Sequence, residues 1–279
     1  MSSILTNNSA MVALQTLKSI NMNLSDTQNA ISTGKDINSA KDNASVWSIS
    51  KVMESDVSGL DAVSDSLAVG QSVLGVASAG AELIVETIKD MQALAISGQS
   101  ESADFTQLAL EMDEKKLQLD AIVAGAQFNG VNLLNTLTDG TSTGLDVVTG
   151  ITRIGNADAV ADTITINTID LEATITGATL TGMADTTDAA ATYDDLTEML
   201  TFAIEGAAAL GTSSKRLEDQ SNFVSKLSDS LTTGIGALVD TDMEAASAKL
   251  QALQTQQQLG VQALSIANEA PSTIMSLFR

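Results

Sequence analysis

Glu111, Asp113 and Glu114 stand beside Lys115 and Lys116, a dense run of ionisable groups. On a helix that spacing sets acids and bases one turn apart, which makes solvated ion pairs rather than an acid–base couple. Asp139 with Asp146, and Asp185 with Asp188, are acidic pairs able to attract Ca²⁺ weakly, but neither has the spacing of an EF-hand loop. Gly34, Gly75, Gly80 and Gly98 form no phosphate loop, because no strand and no Lys-Ser/Thr accompany them correctly. The sequence has no histidine and no cysteine. That removes imidazole acid–base catalysis, thiolate nucleophiles, disulfides and Cys/His zinc sites. No catalytic, cofactor-binding or metal-ligating set is read, and the expectation is that the protein is not an enzyme.

One polar segment, Asn38-Ser39-Ala40-Lys41-Asp42-Asn43, has residues of another kind. By itself it reads as helix-capping and linker chemistry. Charge narrows the partners. The 35 acids against 13 bases leave a net charge of −22, which argues against nucleic acid and against anionic lipid. Residues 1–20 lack a basic stretch followed by an apolar run, so no standard secretory signal is read. No segment reaches about 18 uninterrupted apolar residues, so no membrane span is expected.

The elements that must position these residues are helical. Aromatic residues are 3% of the chain while 44% is hydrophobic, and Pro271 is the single proline. Small aliphatics in number, with almost no helix breakers, suit helices packed along their length. Alternating steps of three and four give an a/d seam at Ala10, Ala13, Leu17, Ile20, Leu24, Thr27 and Ile31, broken at Gly34. A longer seam runs from Ile49 through Met53, Asp56, Leu60, Val63, Leu67, Gly70, Leu74, Ala77, Ala81, Ile84, Ile88 and Met91 to Ala95, with Gly98 as its stop. A further seam from Phe105 through Leu108, Met112, Lys115, Leu119 and Ile122 to Ala126 ends at the Asn129-Gly130 turn signal. The return seams run from Leu196 to Leu238 and from Ala246 through Leu250, Leu253, Gln257, Gly260 and Leu264 to Ala267, ending before Pro271.

Between about residues 135 and 190 Gly, Thr, Asp and β-branched residues take over. The alternation over Thr163–Asp170 predicts a half-buried strand. Leu145–Val148 and Ile151–Ile154 predict a short hairpin turning at Thr149-Gly150. The fold class is therefore mainly α: an elongated antiparallel coiled coil or helical bundle with a small β-hairpin segment inserted in the middle. The terminal stripes must pair with each other or with other copies, and the spacing leaves both open.

Several stretches resemble bacterial flagellins. They are Ile31-Ser32-Thr33-Gly34 followed by Ile37-Asn38-Ser39-Ala40-Lys41-Asp42-Asn43-Ala44, then Gln127-Phe128-Asn129-Gly130-Val131-Asn132-Leu133-Leu134, and the tail from Gln251 to Asn268 with Pro271 and Ser276-Leu277-Phe278-Arg279. The resemblance covers residues 1–135 and 190–279. It implies a secreted, extracellular structural subunit that self-assembles into the flagellar filament for swimming. It implies passage through the flagellar type III export apparatus, guided by an uncleaved N-terminal region, with an export chaperone at the C-terminal segment. Hook-associated and cap proteins would be its neighbours, with no nucleic acid, membrane or cofactor. Residues 1–40 and 240–279 would form the inner-tube domain D0, residues 41–135 and 190–239 the rod D1, and 136–189 a β-rich insertion with little or no outer domain. Assembly contacts are expected at Leu17, Ile20, Leu24, Ile31, Leu250, Leu253, Leu264, Leu277 and Phe278, with Asn38, Lys41 and Asp42 at the D0–D1 joint. Enterobacterial members carry arginines contacted by an innate immune receptor where this sequence has Asp90 and Gln92, which implies weak recognition here. The alternatives are a flagellin-like hook–filament junction protein and, more distantly, another type III secreted component.

Overall fold

A computed structural model describes residues 7–153, 160–176 and 180–276. Its helices are α1 (Asn8–Thr33), α2 (Ala44–Ser97), α3 (Phe105–Gly125), α4 (Thr186–Val239) and α5 (Met243–Ser276). Its strands are β1 (Gln127–Phe128), β2 (Val131–Asn132), β3 (Gly144–Thr152) and β4 (Val160–Asn167), and a π-helical turn spans Glu172–Thr176. The chain divides into two compact units, Met1–Ser55 with Ser230–Arg279, and Asp56–Asp229.

The helices begin and end where capping chemistry allows. The Asn7 side chain accepts from the Ala10 N–H at 3.1 Å, and Gly34 takes the left-handed conformation (φ 72°) that closes α1. The Asp104 carboxylate caps α3 through the Gln107 N–H at 3.2 Å. Asp185 accepts from the Thr187 and Asp188 N–H groups, both at 2.8 Å, as α4 starts. Asp139 likewise accepts from Thr141 and Ser142 N–H groups at 2.9 and 2.8 Å, which holds its carboxyl below the usual range. Of the acids that had the look of weak cation ligands, Asp139 and Asp185 therefore serve as local caps, and Asp146 accepts from the Thr165 hydroxyl on the partner strand.

In the larger unit the long seam is the core. Every seam position from Leu60 to Ala95 is buried. One window of α2 reaches a mean hydropathy of 1.5, enough for a membrane span by length and composition. A helix whose stripe lies inside a bundle has the same composition. α4 runs antiparallel to α2: Gly70 faces Leu217, Gln92 Nε2 donates to Thr197 Oγ1 at 3.1 Å, and Gly98 faces Ala189. On α3 the buried positions are Met112, Leu119 and Val123, so the stripe drifts off Ile122, and the seam position Lys115 reaches Asp90 at 2.7 Å.

The β segment corrects the expected hairpin. Leu145–Val148 and the following Ile151 and Thr152 lie on one strand, β3, and Thr149 is a bulge between Val148 and Gly150 rather than a turn. The partner is β4, antiparallel, with Val147 opposite Ile164 and Thr152 opposite Val160. Thr-Gly lacks the paired left-handed conformations of a two-residue hairpin turn, and a bulge absorbs it instead. Residue 154 lies outside the described residues, and β4 ends at Asn167 rather than Asp170. Asn129-Gly130 does turn β1 into β2, with φ of 52° and 82°, the signs a type I′ turn demands.

The hairpin seats on α2 at positions without side chains. Ile151 fills the space a Cβ on Gly59 would take. A Cβ on Gly70 would lie 2.8 Å from Val147 Cγ2, and one on Gly80 would lie 2.9 Å from the Ala126 Cβ. The Val148 N–H donates to Ser66 Oγ at 3.2 Å, and Arg153 pairs with Asp56 at 2.8 Å. Asn132 ties the following loop down, donating to Val123 O at 2.7 Å and accepting from the Leu134 N–H at 2.9 Å.

Candidate assembly surface

The smaller unit is built on α1 and α5 as an antiparallel pair. Asn7 Nδ2 donates to Ala267 O at 2.7 Å, Gln257 Nε2 to Asn21 Oδ1 at 2.7 Å, and Lys35 bridges Asp240. Between these ties the seams meet. Leu17, Ile20, Leu24 and Ile31 are half-buried on α1, and Thr27 is buried. Opposite them Leu253 is buried, and Leu250, Gly260 and Leu264 are half-buried. A Cβ on Gly260 would lie 2.9 Å from Leu17 Cδ1, so the helices approach closely there. The described seam residues thus pack within the chain. Leu277 and Phe278 lie outside the described residues. The end of the last seam is corrected: α5 runs through Pro271 to Ser276 instead of stopping before it. Pro271 forgoes one backbone hydrogen bond in a helix 34 residues long. Leu238 is also displaced from its expected seam place, being exposed while Val239 is buried.

The polar link meets the end of α4 at Val239. The Asp36 and Ile37 N–H groups both donate to Val239 O, at 2.7 and 3.4 Å, and the Thr241 N–H donates to Gly34 O at 2.9 Å. Within the link Asp42 Oδ2 accepts from the Asn38 N–H at 3.1 Å, the Ser39 N–H at 2.9 Å and Ser39 Oγ at 3.1 Å. The Ser39 bonds hold its carboxyl below the usual carboxylate value, with smaller help from Asn38 and the charge of Lys41. Asn38, Lys41 and Asp42 are all exposed. Glu54 takes Lys51 and Lys35 on its two oxygens, and the Lys51 bond chiefly holds its carboxyl down.

The outer surface of the α1–α5 pair carries residues that the seam pattern does not name. Met11, Val12, Leu14 and Met22 on α1, and Leu259, Val261 and Ile266 on α5, are each more than half exposed. Lys18 stands among Leu14, Leu17 and Met22, and charge is otherwise sparse on these two helices. Lys18 and Asp26 are the charged residues of α1, and Glu244, Lys249 and Glu269 those of α5. Glutamine, asparagine, serine and threonine hold the other outward polar positions, as in Gln254, Gln256, Gln258 and Gln262. A signal was present in the sequence. In a chain of net charge −22, helices this poor in acids that also carry large apolar residues off the seam schedule stand out from the rest of the sequence.

Residues 4–139 match the N-terminal helical region of bacterial flagellin, and residues 193–278 match its C-terminal helical region. The chain is 41% identical over 285 residues to flagellin FljM of Caulobacter vibrioides, covering 100% of this chain and 99% of the relative. It is 41% identical over 286 residues to a flagellin of Brucella melitensis, covering 100% of each. A solved structure described as a flagellar hook-associated protein of Vibrio parahaemolyticus is similar at a TM-score of 0.51 and 12% identity, covering 71% of this chain and 100% of that one. That last likeness is one of fold.

Proposed function

The chain belongs to the bacterial flagellin family and is a structural subunit of the flagellar filament, and from that premise we propose that its copies join through the outer face of the α1–α5 pair. The observation that carries this reading is the set of large apolar side chains left uncovered on the pair, Met11, Leu14 and Met22 around Lys18 on α1 and Leu259, Val261 and Ile266 on α5. Every copy bears the same net charge of −22, so a contact between copies is favoured where acids are sparse. Each such contact joins one face to a different face of the next copy, which gives an open helix rather than a closed ring.

In this reading residues 1–40 and 240–279 act as the inner domain D0, and residues 41–135 and 190–239 as the rod D1, with 136–189 as its β insertion. Leu17, Ile20, Leu24, Ile31, Leu250, Leu253 and Leu264 close the intrachain pair and so shape the outer face, while Asn38, Lys41 and Asp42 set the joint. Leu277 and Phe278 extend the contact at the tail. Secretion proceeds through the flagellar export apparatus, with an export chaperone shielding the C-terminal stripe beforehand. A chain without cysteine cannot be cross-linked on the way. The cap and hook-associated proteins meet the same stripe at the filament ends.

Seed extension tests the face. Purified subunits are added to short filament seeds and growth is read by sedimentation and negative-stain microscopy. Leu14→Glu and Val261→Glu place acids on exposed positions, so each keeps its helicity and loses extension. Growth of either variant at the wild-type rate refutes the assignment.

A further inference from the structure

Two of the residues on the outer stripe of α1 are thioethers. Met11 is 57% exposed and Met22 is 54% exposed, about three turns apart and so on one side of the helix. Met22 also lines a shallow groove with Leu14, Leu17, Lys18 and Asn21. Elsewhere the described methionines are mostly enclosed: Met91, Met112, Met183 and Met199 are buried. Met243, 45% exposed, opens α5 apart from the stripe. We infer that Met11 and Met22 are oxidation sites that decide whether a free subunit can join the filament, open to peroxides in the monomer and closed to them once a second copy covers the stripe. This rests on the assembly face proposed above.

The chemistry is a single oxygen transfer. A sulfur lone pair attacks the distal oxygen of hydrogen peroxide or an organic hydroperoxide, the O–O bond breaks, and the oxygen stays on sulfur. The sulfide is oxidised to sulfoxide, the peroxide is reduced, and water or an alcohol leaves. The product replaces a flexible apolar group by a polar one. When a second copy covers the face, that polar S–O bond loses its water, which disfavours docking. Because sulfoxides are reducible by methionine sulfoxide reductases, the block is reversible.

The test uses the full chain carrying Met243→Leu, so that the stripe holds the exposed described thioethers. Monomer and preformed filament are treated with the same hydrogen peroxide, and each methionine is mapped by peptide mass spectrometry, with Met91 as the enclosed reference. The expected result is one added oxygen on Met11 and Met22 in the monomer, several-fold less in the filament, and none on Met91. Treated monomer then extends seeds roughly tenfold more slowly, and a sulfoxide reductase restores the rate. Met11→Leu/Met22→Leu, scored against its own untreated sample, shows no slowing. Equal oxidation in monomer and filament overturns the inference, as does an oxidised monomer that extends seeds at the untreated rate. If Leu14→Glu blocks extension while oxidation does not, the assembly face stands and this inference falls. If neither perturbation affects extension, both fall.

Discussion

Replacing Gly70 by alanine isolates how closely the hairpin seats on α2. An added Cβ would lie 2.8 and 3.0 Å from the two methyls of Val147 and 3.2 Å from Leu217 Cδ1. Val147 is β-branched, sits mid-strand on β3 and has little rotameric freedom, so it cannot swing aside. Overpacking of this kind costs about 1–3 kcal/mol, against a gain of about 1 kcal/mol for alanine over glycine inside a helix. Gly75 supplies the control on the same helix: nothing lies within 4 Å of its Cβ position. Gly75→Ala therefore stabilises by about 1 kcal/mol, and Gly70→Ala ends about 1–3 kcal/mol below it. The assay is chemical denaturation of both variants by circular dichroism, with unchanged m-values required for the comparison. Val147→Ala in the Gly70→Ala background should recover part of the loss, because the two sites are in contact. A Gly70→Ala variant as stable as Gly75→Ala would show that the strand is not seated in the notch.

Asn132→Ala leaves Val123 O and the Leu134 N–H without their side-chain partners, and should cost about 1–3 kcal/mol in denaturant midpoint; a neutral effect would refute the bonding. The Asp42 carboxyl is lower in the folded chain than its usual 3.8, so its contribution to the link is full above that value and fades as pH falls through the lowered one. Amide protection at Asn38 and Ser39 should therefore hold from pH 7 to 5 and drop only under stronger acid; loss near pH 6 would contradict this. Lys41→Ala and Asp42→Ala should still be exported yet assemble poorly, and filaments of wild-type length in both would count against the joint. Asp90 is engaged by Lys115 and offers no guanidinium, so a reporter-cell response from the immune receptor should fall well below that to an enterobacterial flagellin; an equal response would end the idea.

What the sequence made legible follows from what periodicity can carry. The stripe from Leu60 to Ala95 is buried along its length, because a heptad pattern sustained that long has one packing solution. Asn129-Gly130 was readable for a similar reason, since few residue pairs take positive φ twice. Thr149-Gly150 was misread because a turn and a bulge use the same small residues, and only the partner strand, β4, separates them. Val239 rather than Leu238 is buried at the end of α4, where the Asp36 and Ile37 N–H groups reach the Val239 carbonyl, a backbone contact that no side-chain pattern encodes. In the candidate site the seam leucines were visible, but Met11, Val12 and Val261 were not. Searching for apolar residues on schedule discards those off it.

The glycine notches of α2 have a consequence for the order in which the subunit folds. Gly59, Gly70, Gly75 and Gly80 fall within a stretch of little more than twenty residues, and each weakens an isolated helix by about 1 kcal/mol relative to alanine. The middle of α2 is therefore a poor helix until Ile151, Val147 and Leu134 arrive to fill the gaps at Gly59, Gly70 and Gly80. Those partners come from 54 to 92 positions further along the chain. Helix and hairpin consequently form together, in one cooperative step that waits for distant sequence. A nascent segment of α2 has nothing to lock it, which keeps the chain pliable for as long as its second half is still to come.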